Sequence, residues 1–369
     1  MGNVLVIGGG FSGCAAALLL AERGHRVTLV ERAAFLGAGG RTQRYGGHPY
    51  TFGPRYLETA DEDVFALVHR HAPLRLIPDH ETLTFAEADP GFYSFPLHED
   101  DVERMPERDR IRSEIGARDP AGRVDAPADL EAYWVNILGP TLYAKFIETY
   151  TLKMWNIGSN KELPAGSTWS PNTPPLRSGP RAAATVYAFP SGGNGYDDFF
   201  EKATSDAEVL LGTAIDAFDV ERRRVHLRGA WRSFDVIIST ISPEIVLDGA
   251  FGPLRWMGRE LWKLVLPVAE ALPAGVHAVY YAGREPFTRV VEYKKIFRNE
   301  GPSTLLGIEI PSTKNKLFPY PIEKERALAR RYLDALPENV FSIGRAGQYD
   351  WSLGISASIR QAMEVARVL

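Results

Sequence analysis

The sequence predicts an α/β fold that combines a parallel sheet flanked by helices, an inserted helical domain and an antiparallel sheet domain. The apolar run Val4–Ile7 is followed by closely spaced glycines and an apolar helix, which is the order expected in a βαβ unit. The charged stretch 99–155 contains an apolar-periodic run over 130–146, which indicates helix. Further strands are predicted at 208–211, 235–239, 276–281, 289–293, 304–310 and 340–344, with a final helix at 355–369.

The glycines after the first predicted strand are the most informative feature of the chain. Gly8, Gly10 and Gly13 have the spacing that allows a tight turn, close approach of a pyrophosphate and close packing of the following helix. A phosphate then lies at the helix N-terminus, where free backbone N–H groups and the helix dipole favour negative charge. The alternative is a glycine-rich turn that serves only core packing.

The remainder of this unit indicates a dinucleotide. A predicted helix over 14–23 ends at Gly24, a strand over 26–30 follows, and Glu31 comes directly after that strand. In Rossmann-like domains an acid at this position accepts hydrogen bonds from the ribose hydroxyls and repels a 2′-phosphate. The sequence therefore predicts a bound adenine dinucleotide with an unphosphorylated ribose.

The composition is that of a folded protein, with 369 residues of which 45% are hydrophobic and 24% are charged. The single cysteine, Cys14, excludes an internal disulfide and is expected to pack in the core. No uninterrupted apolar run reaches about 18 residues, so neither a signal peptide nor a membrane span is predicted, and we expect a cytoplasmic protein. The net charge of −4 argues against nucleic acid or an anionic membrane as a partner.

The segment after Glu31 distinguishes FAD from NAD. Gly39-Gly40-Arg41 resembles a motif of a large class of flavoproteins, in which backbone and guanidinium reach the flavin pyrophosphate. The strand at 340–344 and the helix at 355–369 resemble the element that closes the FAD domain in that class. FAD is therefore the predicted cofactor, in a Rossmann-like domain assembled from separate parts of the chain.

These patterns divide the chain into three predicted domains. Prolines are concentrated between Pro164 and Pro180, so this part of the chain is predicted to be an irregular loop. The FAD-binding domain comprises 1–73 with 190–250 and 336–369, the helical domain 97–160, and the sheet domain, which binds substrate, 74–96 with 161–189 and 251–335.

Further stretches narrow the resemblance. The segment from Tyr150 to Trp155, followed by Lys161-Glu162-Leu163-Pro164, resembles the tyrosine, tryptophan and KELPA element of UDP-galactopyranose mutases. Each stretch is short. However, all of them follow the FAD fingerprint in the same order as in the family, and together they extend along the whole chain. The chain therefore resembles this family over its whole length. The other matching stretches are Gly53-Pro54, Pro175-Leu176-Arg177, Pro190 with Gly192-Gly193, Phe287–Glu292 and Gly344-Arg345.

The resemblance implies an isomerase that interconverts the pyranose and furanose forms of a nucleotide sugar. In that family, N5 of reduced flavin attacks the anomeric carbon as the nucleoside diphosphate leaves, and no net electrons are transferred. The cofactor carries the difficult chemistry, and the protein supplies orientation and charge. Reduced FAD would then be the active form, an external electron donor such as NAD(P)H would be required, and a homodimer is compatible with the resemblance.

The resemblance also assigns roles to individual residues. A planar guanidinium suits bidentate contact with a diphosphate, although a surface ion pair is the commoner role of a single arginine. Catalytic roles are implied for Arg55, Arg289 and Arg345, and no metal ligand is expected. Substrate-binding roles are implied for Phe146, Tyr150, Trp155, Arg177, Arg289, Tyr320, Arg345 and Trp351. Cofactor contacts are expected from Gly8, Gly10, Phe11, Ser12, Gly13, Glu31, Arg32, Gly39, Gly40, Arg41, Gly53 and Arg345.

The chain departs from the family pattern at two places. Where these mutases read Gly-Pro-His-x-Phe-His-Thr, Arg55 and Glu58 replace the two histidines. The carboxylate expected after the Gly-Arg motif has no counterpart near Leu353 and Gly354. We therefore predict a substrate other than plain UDP-galactose. Two alternatives stay open: an FAD-dependent oxidoreductase of the amine-oxidase type, and a flavin-binding relative without catalytic activity.

Overall fold

The structure is a computed structural model that describes residues 1–78, 80–117, 127–165, 176–178 and 186–369. Its strands are β1 (Asn3–Ile7), β2 (Arg26–Val30), β3 (Gln43–Tyr45), β4 (His48–Tyr50), β5 (Leu57–Thr59), β6 (Leu74–Leu76), β7 (Glu81–Ala86), β8 (Gly91–Ser94), β9 (Val186–Pro190), β10 (Glu208–Leu210), β11 (Ala217–Asp219), β12 (Arg224–Leu227), β13 (Ala230–Ser233), β14 (Val236–Ser239), β15 (Trp256–Leu266), β16 (Val276–Tyr281), β17 (Arg289–Glu292), β18 (Thr304–Ser312), β19 (Phe318–Pro319) and β20 (Val340–Ser342).

The α-helices within the same ranges are α1 (Phe11–Glu22), α2 (Glu62–His71), α3 (Glu99–Val102), α4 (Arg108–Gly116), α5 (Leu130–Leu138), α6 (Pro140–Tyr143), α7 (Thr149–Trp155), α8 (Asp197–Ala203), α9 (Pro243–Val246), α10 (Tyr293–Phe297), α11 (Glu323–Asp334), α12 (Gly344–Gly347) and α13 (Ile355–Val368). A π-helical turn, Ala144–Glu148, joins α6 to α7. Short 3-10 turns lie at Ala38–Gly40 and Asn160–Glu162.

Five of the described strands form a parallel sheet in the order β10-β2-β1-β14-β20. Val4, Leu5 and Val6 in β1 are fully buried, as expected for a parallel sheet that is covered on both faces. Helices α1 and α13 pack against each other in the largest hydrophobic core. The predicted α/β class and Rossmann-like first unit are therefore confirmed.

Seven of the described strands form a second sheet in the order β19-β15-β18-β17-β16-β7-β8. Most neighbours in it are antiparallel, but β7 and β16 run parallel, so the sheet predicted to be antiparallel is a mixed sheet. A long stretch of chain separates these two strands, which is what a parallel pair requires. The register between them shifts at His277, which forms a β-bulge.

One row of side chains crosses this second sheet. In the strand register, Arg289 on β17 lies opposite both Tyr280 on β16 and Glu309 on β18. Glu309 in turn lies opposite Leu261 on β15. Directly paired residues share one face of a sheet, so these four side chains project from the same face.

The described parts of the stretch 99–155, which are 99–117 and 127–155, are mainly helical, as predicted, but they are divided into several short helices. Gly139, with φ of +84°, ends α5, and Pro140 then begins α6. Glycine adopts this positive φ readily, and proline is favoured at the first position of a helix. The buried Lys145 pairs with Asp89 at 2.8 Å, which connects this helical layer to the turn between β7 and β8.

Most of the predicted boundaries agree with the structure to within a few residues. Helix α1 begins at Phe11 rather than at Cys14, because Gly13 lies inside the helix instead of in the turn before it. Strand β18 continues past Ile310 to Ser312 along its pairing with β15. None of the helices in the described ranges is both long and apolar enough to cross a membrane.

Candidate active site

The backbone between β1 and α1 has the geometry of a pyrophosphate cradle. Gly8 has φ of +97°, and a Cβ on Gly13 would lie only 1.9 Å from the Gly8 carbonyl oxygen, so glycine is required at both positions. Gly10 precedes α1 without a side-chain cap from the described residues, and the first turn of α1 contains no acidic residue. The free N–H groups at this helix N-terminus therefore favour a phosphate.

The Glu31 carboxylate lies beside the same loop. Its Oε2 accepts a hydrogen bond from Gly9 N and its Oε1 accepts one from Ala33 N, both at 2.7 Å. These bonds hold the carboxylate at the C-terminal edge of the parallel sheet, where α/β proteins bind their ligands. Each oxygen retains a lone pair for a ribose hydroxyl.

Other residues expected to contact the cofactor differ in exposure and in the side chains they pack against. Arg32 is exposed, and Arg41 lies over a phenylalanine ring at 5.0 Å from its centroid. Phe11 packs into an aromatic cluster, and a Cβ on Gly40 would lie 2.6 Å from the Phe11 ring. Ser12 is buried. The contribution of these five residues to cofactor binding stays a prediction.

Arg55 lies between the cradle and the second sheet. Its Nε donates to the Gly39 carbonyl at 3.4 Å, and a Cβ on Gly39 would lie 2.9 Å from its Nη2. Burial lowers the pKa of the Arg55 guanidinium, and of the nearby charges Glu309 opposes that shift while Arg289 adds to it. Because arginine stays protonated in proteins, a permanent positive charge is held half-buried here.

A small cavity, partly open to solvent, lies at this junction. Three arginines and a single carboxylate lie in its wall together with apolar side chains, so the wall carries an excess of positive charge. This combination suits an anionic ligand with an apolar part. The lining residues are Phe52, Gly53, Arg55, Arg259, Leu261, Arg289, Glu309, Leu317 and Phe318.

Arg289 and Glu309 form a bidentate ion pair in this wall. Nη2 of Arg289 donates to both carboxylate oxygens of Glu309, at 2.7 and 2.9 Å, and Nη1 donates to the Tyr280 hydroxyl at 2.7 Å. Burial alone would lower the pKa of Arg289, but Glu309 and Tyr280 outweigh it and raise that pKa. A bidentate pair also fixes the plane of the guanidinium, so Arg289 presents a defined edge to the cavity.

Arg259, which the sequence analysis did not single out, is a buried arginine in the wall. Its side chain is 5% exposed and lies 3.9 Å from the Glu309 carboxylate. Its Nε has no hydrogen-bond partner among the described residues, although Nη2 contacts Met154 Sδ. Burial lowers the pKa of this guanidinium. Since a buried unpaired donor costs about 1–3 kcal/mol, Arg259 offers a ready contact for an oxygen-rich ligand.

Three of the aromatic residues predicted to bind substrate lie together. The Trp155 ring lies 5.7 Å from Tyr320 and 5.8 Å from Trp351, measured between centroids. The Tyr320 hydroxyl donates to the Trp155 carbonyl at 2.6 Å. Phe318, which lines the cavity, lies 6.4 Å from Trp155. This cluster therefore borders the cavity at the Phe318 side.

Arg345 lies at the start of α12, directly after the parallel strand β20. Its guanidinium lies 5.3 Å from the centroid of the Phe318 ring, and its Nε donates to the Leu353 carbonyl at 2.9 Å. Burial, with the charge of Arg55 acting in the same direction, lowers the pKa of Arg345 to about 10. Arg345 thus adds another cation beside the cavity.

Tyr150 and Phe146 differ in their distance from the arginines of the cavity wall. Tyr150 is buried, its ring lies 6.0 Å from that of Tyr280, and its hydroxyl is directed at Met154 Sδ at 3.7 Å. Phe146 meets Tyr93 edge-to-face at 5.5 Å, inside the core of the helical layer. Tyr150 is therefore close to the Arg289 pair, whereas Phe146 packs further away.

Arg177 lies outside the cavity wall. Its Nε and Nη2 both donate to the Pro96 carbonyl, at 3.2 and 3.0 Å. The adjacent Phe95 stacks on Tyr280 at 4.4 Å, so Arg177 is one layer removed from Arg289. The predicted irregular loop around it, including the motif residue Pro175, falls largely outside the described residues.

Arg259, Glu309, Tyr280 and Phe318 are among the site residues that the sequence analysis did not identify. Arg259 lies on β15, a strand that the sequence analysis did not predict. A clue was present for Glu309, which lies in the apolar run predicted as a strand over 304–310, two positions after the buried Gly307. A charge at such a position is buried, and buried charges are paired or functional.

The fold and the cavity define an α/β enzyme with a dinucleotide-binding unit and a positively charged cavity beside it. The chain belongs to the UDP-galactopyranose mutase family, because the model of that family matches residues 145–351. A model of NAD(P)-binding Rossmann-like domains matches residues 6–71, over the cradle. The protein is therefore a nucleotide-sugar mutase, which is an isomerase.

Two relatives match over nearly their whole lengths. The probable UDP-galactopyranose mutase of Klebsiella pneumoniae is 22% identical over 99% of this chain and 94% of its own. The dTDP-fucopyranose mutase of Escherichia coli is 23% identical over 100% of this chain and 98% of its own. Two relatives named for different nucleotide sugars thus match equally well.

Solved structures agree in fold. A crystal structure of reduced UDP-galactopyranose mutase superposes with a TM-score of 0.82 at 16% identity, covering 99% of this chain and 93% of that one. A putative protoporphyrinogen oxidase from Exiguobacterium gives 0.69 at 13% identity, covering 100% and 99%. Putrescine oxidase bound to putrescine gives 0.59 at 13% identity, covering 100% and 98%. At these identities the likeness establishes the fold alone.

Proposed function

We propose that this protein is an FAD-dependent mutase that interconverts the pyranose and furanose forms of a nucleotide sugar. The observation that carries this proposal is that the arginine-lined cavity lies directly against the Gly39 and Gly53 turns of the dinucleotide-binding part. A diphosphate drawn to the arginines would therefore lie next to the cofactor. Family membership supplies the reaction class, and the cavity supplies the charge that it needs.

The residues of the cradle fit FAD. The N-terminus of α1 would hold the pyrophosphate, Glu31 would accept the ribose hydroxyls, and the close packing of Gly8 on Gly13 leaves the backbone accessible. When bound and reduced, FAD supplies a nucleophilic nitrogen for the anomeric carbon. We propose an external electron donor such as NAD(P)H for the reduction. A homodimer stays a prediction that sedimentation analysis would test.

The arginines of the cavity have distinct proposed roles. Arg289, fixed by Glu309 and Tyr280, presents one defined edge to the substrate diphosphate. Arg259 offers its unpaired Nε, and Arg345 adds positive charge on the Phe318 side. Charge-assisted bonds of this kind are about twice as strong as neutral ones. Together they would stabilise the nucleoside diphosphate as it leaves the sugar.

The aromatic residues have a proposed role in holding the sugar and the base. Trp155, Tyr320 and Trp351 would exclude water beside the sugar, and Tyr150 offers a ring face close to Arg289. Removing water strengthens every charge interaction within a site, because the local dielectric constant falls.

We further propose that the substrate differs from plain UDP-galactose. Arg55 replaces a histidine of the family pattern and is half-buried where the cavity meets the cradle. A guanidinium is larger than an imidazole and always charged, so it changes both the space and the charge available to the sugar. The equal match to a dTDP-fucopyranose mutase supports a related nucleotide sugar.

The test is a product analysis with reduced protein. Purified protein is reduced with dithionite and incubated with UDP-, GDP- and dTDP-linked pyranoses, and the products are separated by chromatography. We expect a furanose product from at least one of them, only with the reduced protein, and without stoichiometric consumption of donor. Peroxide formation by the oxidised protein, without ring isomerisation after reduction, would instead favour an oxidase.

A further inference from the structure

We infer that Lys153 is a positioning residue for substrate binding, whose ammonium locks the connection between β16 and β17 against helix α7. In this way one side chain sets the spacing between the Arg289 side and the aromatic side of the cavity. The inference rests on the proposed function, because it concerns the same nucleotide-sugar site.

The ammonium of Lys153 is surrounded by backbone carbonyls. Its Nζ donates to the carbonyl oxygens of Tyr281 at 2.9 Å, Gly283 at 2.8 Å and Phe287 at 3.0 Å. An ammonium has three donor hydrogens, so these three acceptors use all of them. We refer to the three carbonyls as the carbonyl cage.

The carbonyl cage is largely shielded from water and partly balanced in charge. The Lys153 side chain is 13% exposed, and its Nζ lies 3.7 Å from the Glu285 carboxylate. Burial lowers the pKa of Lys153 to about 8, with Glu285 opposing that shift. The ammonium therefore remains mostly protonated at neutral pH and keeps its donors.

Lys153 ties the caged connection to helix α7, whereas other hydrogen bonds of the connection, among them those from Ala282 N to Phe85 O and from Thr288 N to Glu309 O, hold it to neighbouring strands. Residues 282–288 lie between β16 and β17 and form neither helix nor strand. Backbone carbonyls that lack partners in regular structure must find them elsewhere, and here a side chain from another layer supplies three at once. Without Lys153 these carbonyls lose their shared donor, and the end of the hairpin loses this tie to helix α7.

The two strands held by this connection carry Arg289, which lines the cavity, and Tyr280, whose hydroxyl accepts a hydrogen bond from it. Tyr280 immediately precedes the caged Tyr281, and Arg289 begins the next strand, directly opposite Tyr280. The hydrogen bond between Arg289 and the Tyr280 hydroxyl spans the same pair of strands. A shift of the hairpin end would therefore change the edge that Arg289 presents to a diphosphate.

Lys153 also belongs to the helix that forms the other side of the site. Helix α7 carries Tyr150 and Trp155, and the Lys153 Nζ lies 5.9 Å from the centroid of the Tyr150 ring. The cage thus links, through one residue, the proposed base and sugar contacts to the proposed diphosphate contact. Misplacement of such groups by about 1 Å is enough to weaken a site strongly.

Two variants and a control test this inference. Lys153→Met keeps the aliphatic length but removes the donors, and Lys153→Arg keeps the charge on a planar fork that cannot reach three converging carbonyls. Lys161→Met is the control, since Lys161 follows shortly after in the chain, is 64% exposed and pairs only loosely with Glu131 at 3.7 Å.

The measurements are flavin content, the Kd of the nucleoside diphosphate that the parent binds best among UDP, GDP and dTDP, and KM and kcat of the reduced protein. We expect Lys153→Met to raise Kd and KM by about tenfold or more, with kcat within threefold of the parent and flavin content unchanged. The Kd and KM of Lys153→Arg should lie between those of the parent and those of Lys153→Met. The Kd and KM of Lys161→Met should equal those of the parent.

Unchanged Kd and KM in folded Lys153→Met would overturn the inference, as would a fall in kcat alone. If Lys153→Met does not fold, the Arg variant decides the matter, and parental Kd and KM in that variant overturn it. A parent that binds a nucleoside diphosphate, with variants that bind it equally well, contradicts only the role of Lys153. A parent that binds none of the three overturns the proposed function as well.

Discussion

Replacing Glu309 with glutamine should destabilise the protein and, at the same time, strengthen its affinity for a nucleoside diphosphate. Glu309 is 8% exposed, forms the bidentate pair with Arg289 and lies 3.9 Å from Arg259. Glutamine has nearly the same shape and keeps one acceptor oxygen for Arg289, so the change removes charge more than it removes contact.

The structure allows the magnitudes of the loss of stability and of the gain in affinity to be estimated. Breaking a buried ion pair costs about 3–5 kcal/mol, because the remaining charge is left uncompensated. At an unfolding entropy of about 2.1 cal/mol/K per residue, that cost lowers the Tm of a 369-residue chain by roughly 4–6 °C. The uncompensated guanidinium of Arg289 then attracts an anion more strongly. Because the cavity is partly open to solvent, we expect the affinity for the nucleoside diphosphate to rise roughly tenfold, which corresponds to about 1.4 kcal/mol.

Calorimetry gives the Tm, and titration calorimetry gives the Kd of the nucleoside diphosphate. The matched control is Glu260→Gln, a carboxylate on the opposite face of the same sheet that pairs at 2.7 Å with Lys314, which is 77% exposed. Such surface pairs contribute about 0–1 kcal/mol, so the control should change Tm by about 1 °C at most. Equal Tm shifts in the two variants, or a loss of affinity in Glu309→Gln, would refute the reasoning.

Three further outcomes are expected. Arg55→His should change the ranking of turnover across UDP-, GDP- and dTDP-sugars, and an unchanged ranking would show that selectivity arises elsewhere. Gly13→Ala would place a methyl group 1.9 Å from a carbonyl oxygen, so flavin absorbance should be lost, whereas Gly193→Ala, with no atom within 4 Å, should retain it. Burial lowers the pKa of His80 to about 4 and that of His277 to about 3, so the folded protein binds fewer protons than the unfolded chain below about pH 6.5. Its stability should therefore fall from there toward pH 4 by up to ~1.4 kcal/mol per histidine per pH unit, and a His277→Asn variant with the same slope would count against this.

The part of the fold that the sequence predicts best is the part that local cues determine. Strands β1 and β2 and helix α1 follow from apolar runs and glycines that are close in sequence, and the structure reproduces their order. The parallel pairing of β7 with β16 depends on two strands far apart in the chain. No local pattern specifies such a pairing, because either direction satisfies the same alternation of side chains.

The candidate site likewise contains residues that local motifs identify and residues that only the folded structure brings together. Arg289 and Arg345 lie in short motifs that resemble those of the family, so the sequence identifies both as candidates. Their roles stay predictions. Glu309 and Arg259 lie on two strands whose side chains meet only through the register of the sheet. The apolar run around Glu309 indicates that this carboxylate is buried, but the sequence alone does not reveal that it faces the same cavity as Arg259.

The charge balance of the cavity explains why the replacement at Arg55 matters more than its position in the chain suggests. Glu309 neutralises Arg289, which leaves Arg55 and Arg259 in the wall and Arg345 beside it without a carboxylate of comparable proximity among the described residues. A histidine at position 55 would titrate near neutral pH, whereas arginine stays charged. The site therefore keeps a constant excess of positive charge, which suits a diphosphate whatever base it carries. Discrimination between sugars then depends on the shape of the apolar wall and on the volume that the guanidinium of Arg55 occupies.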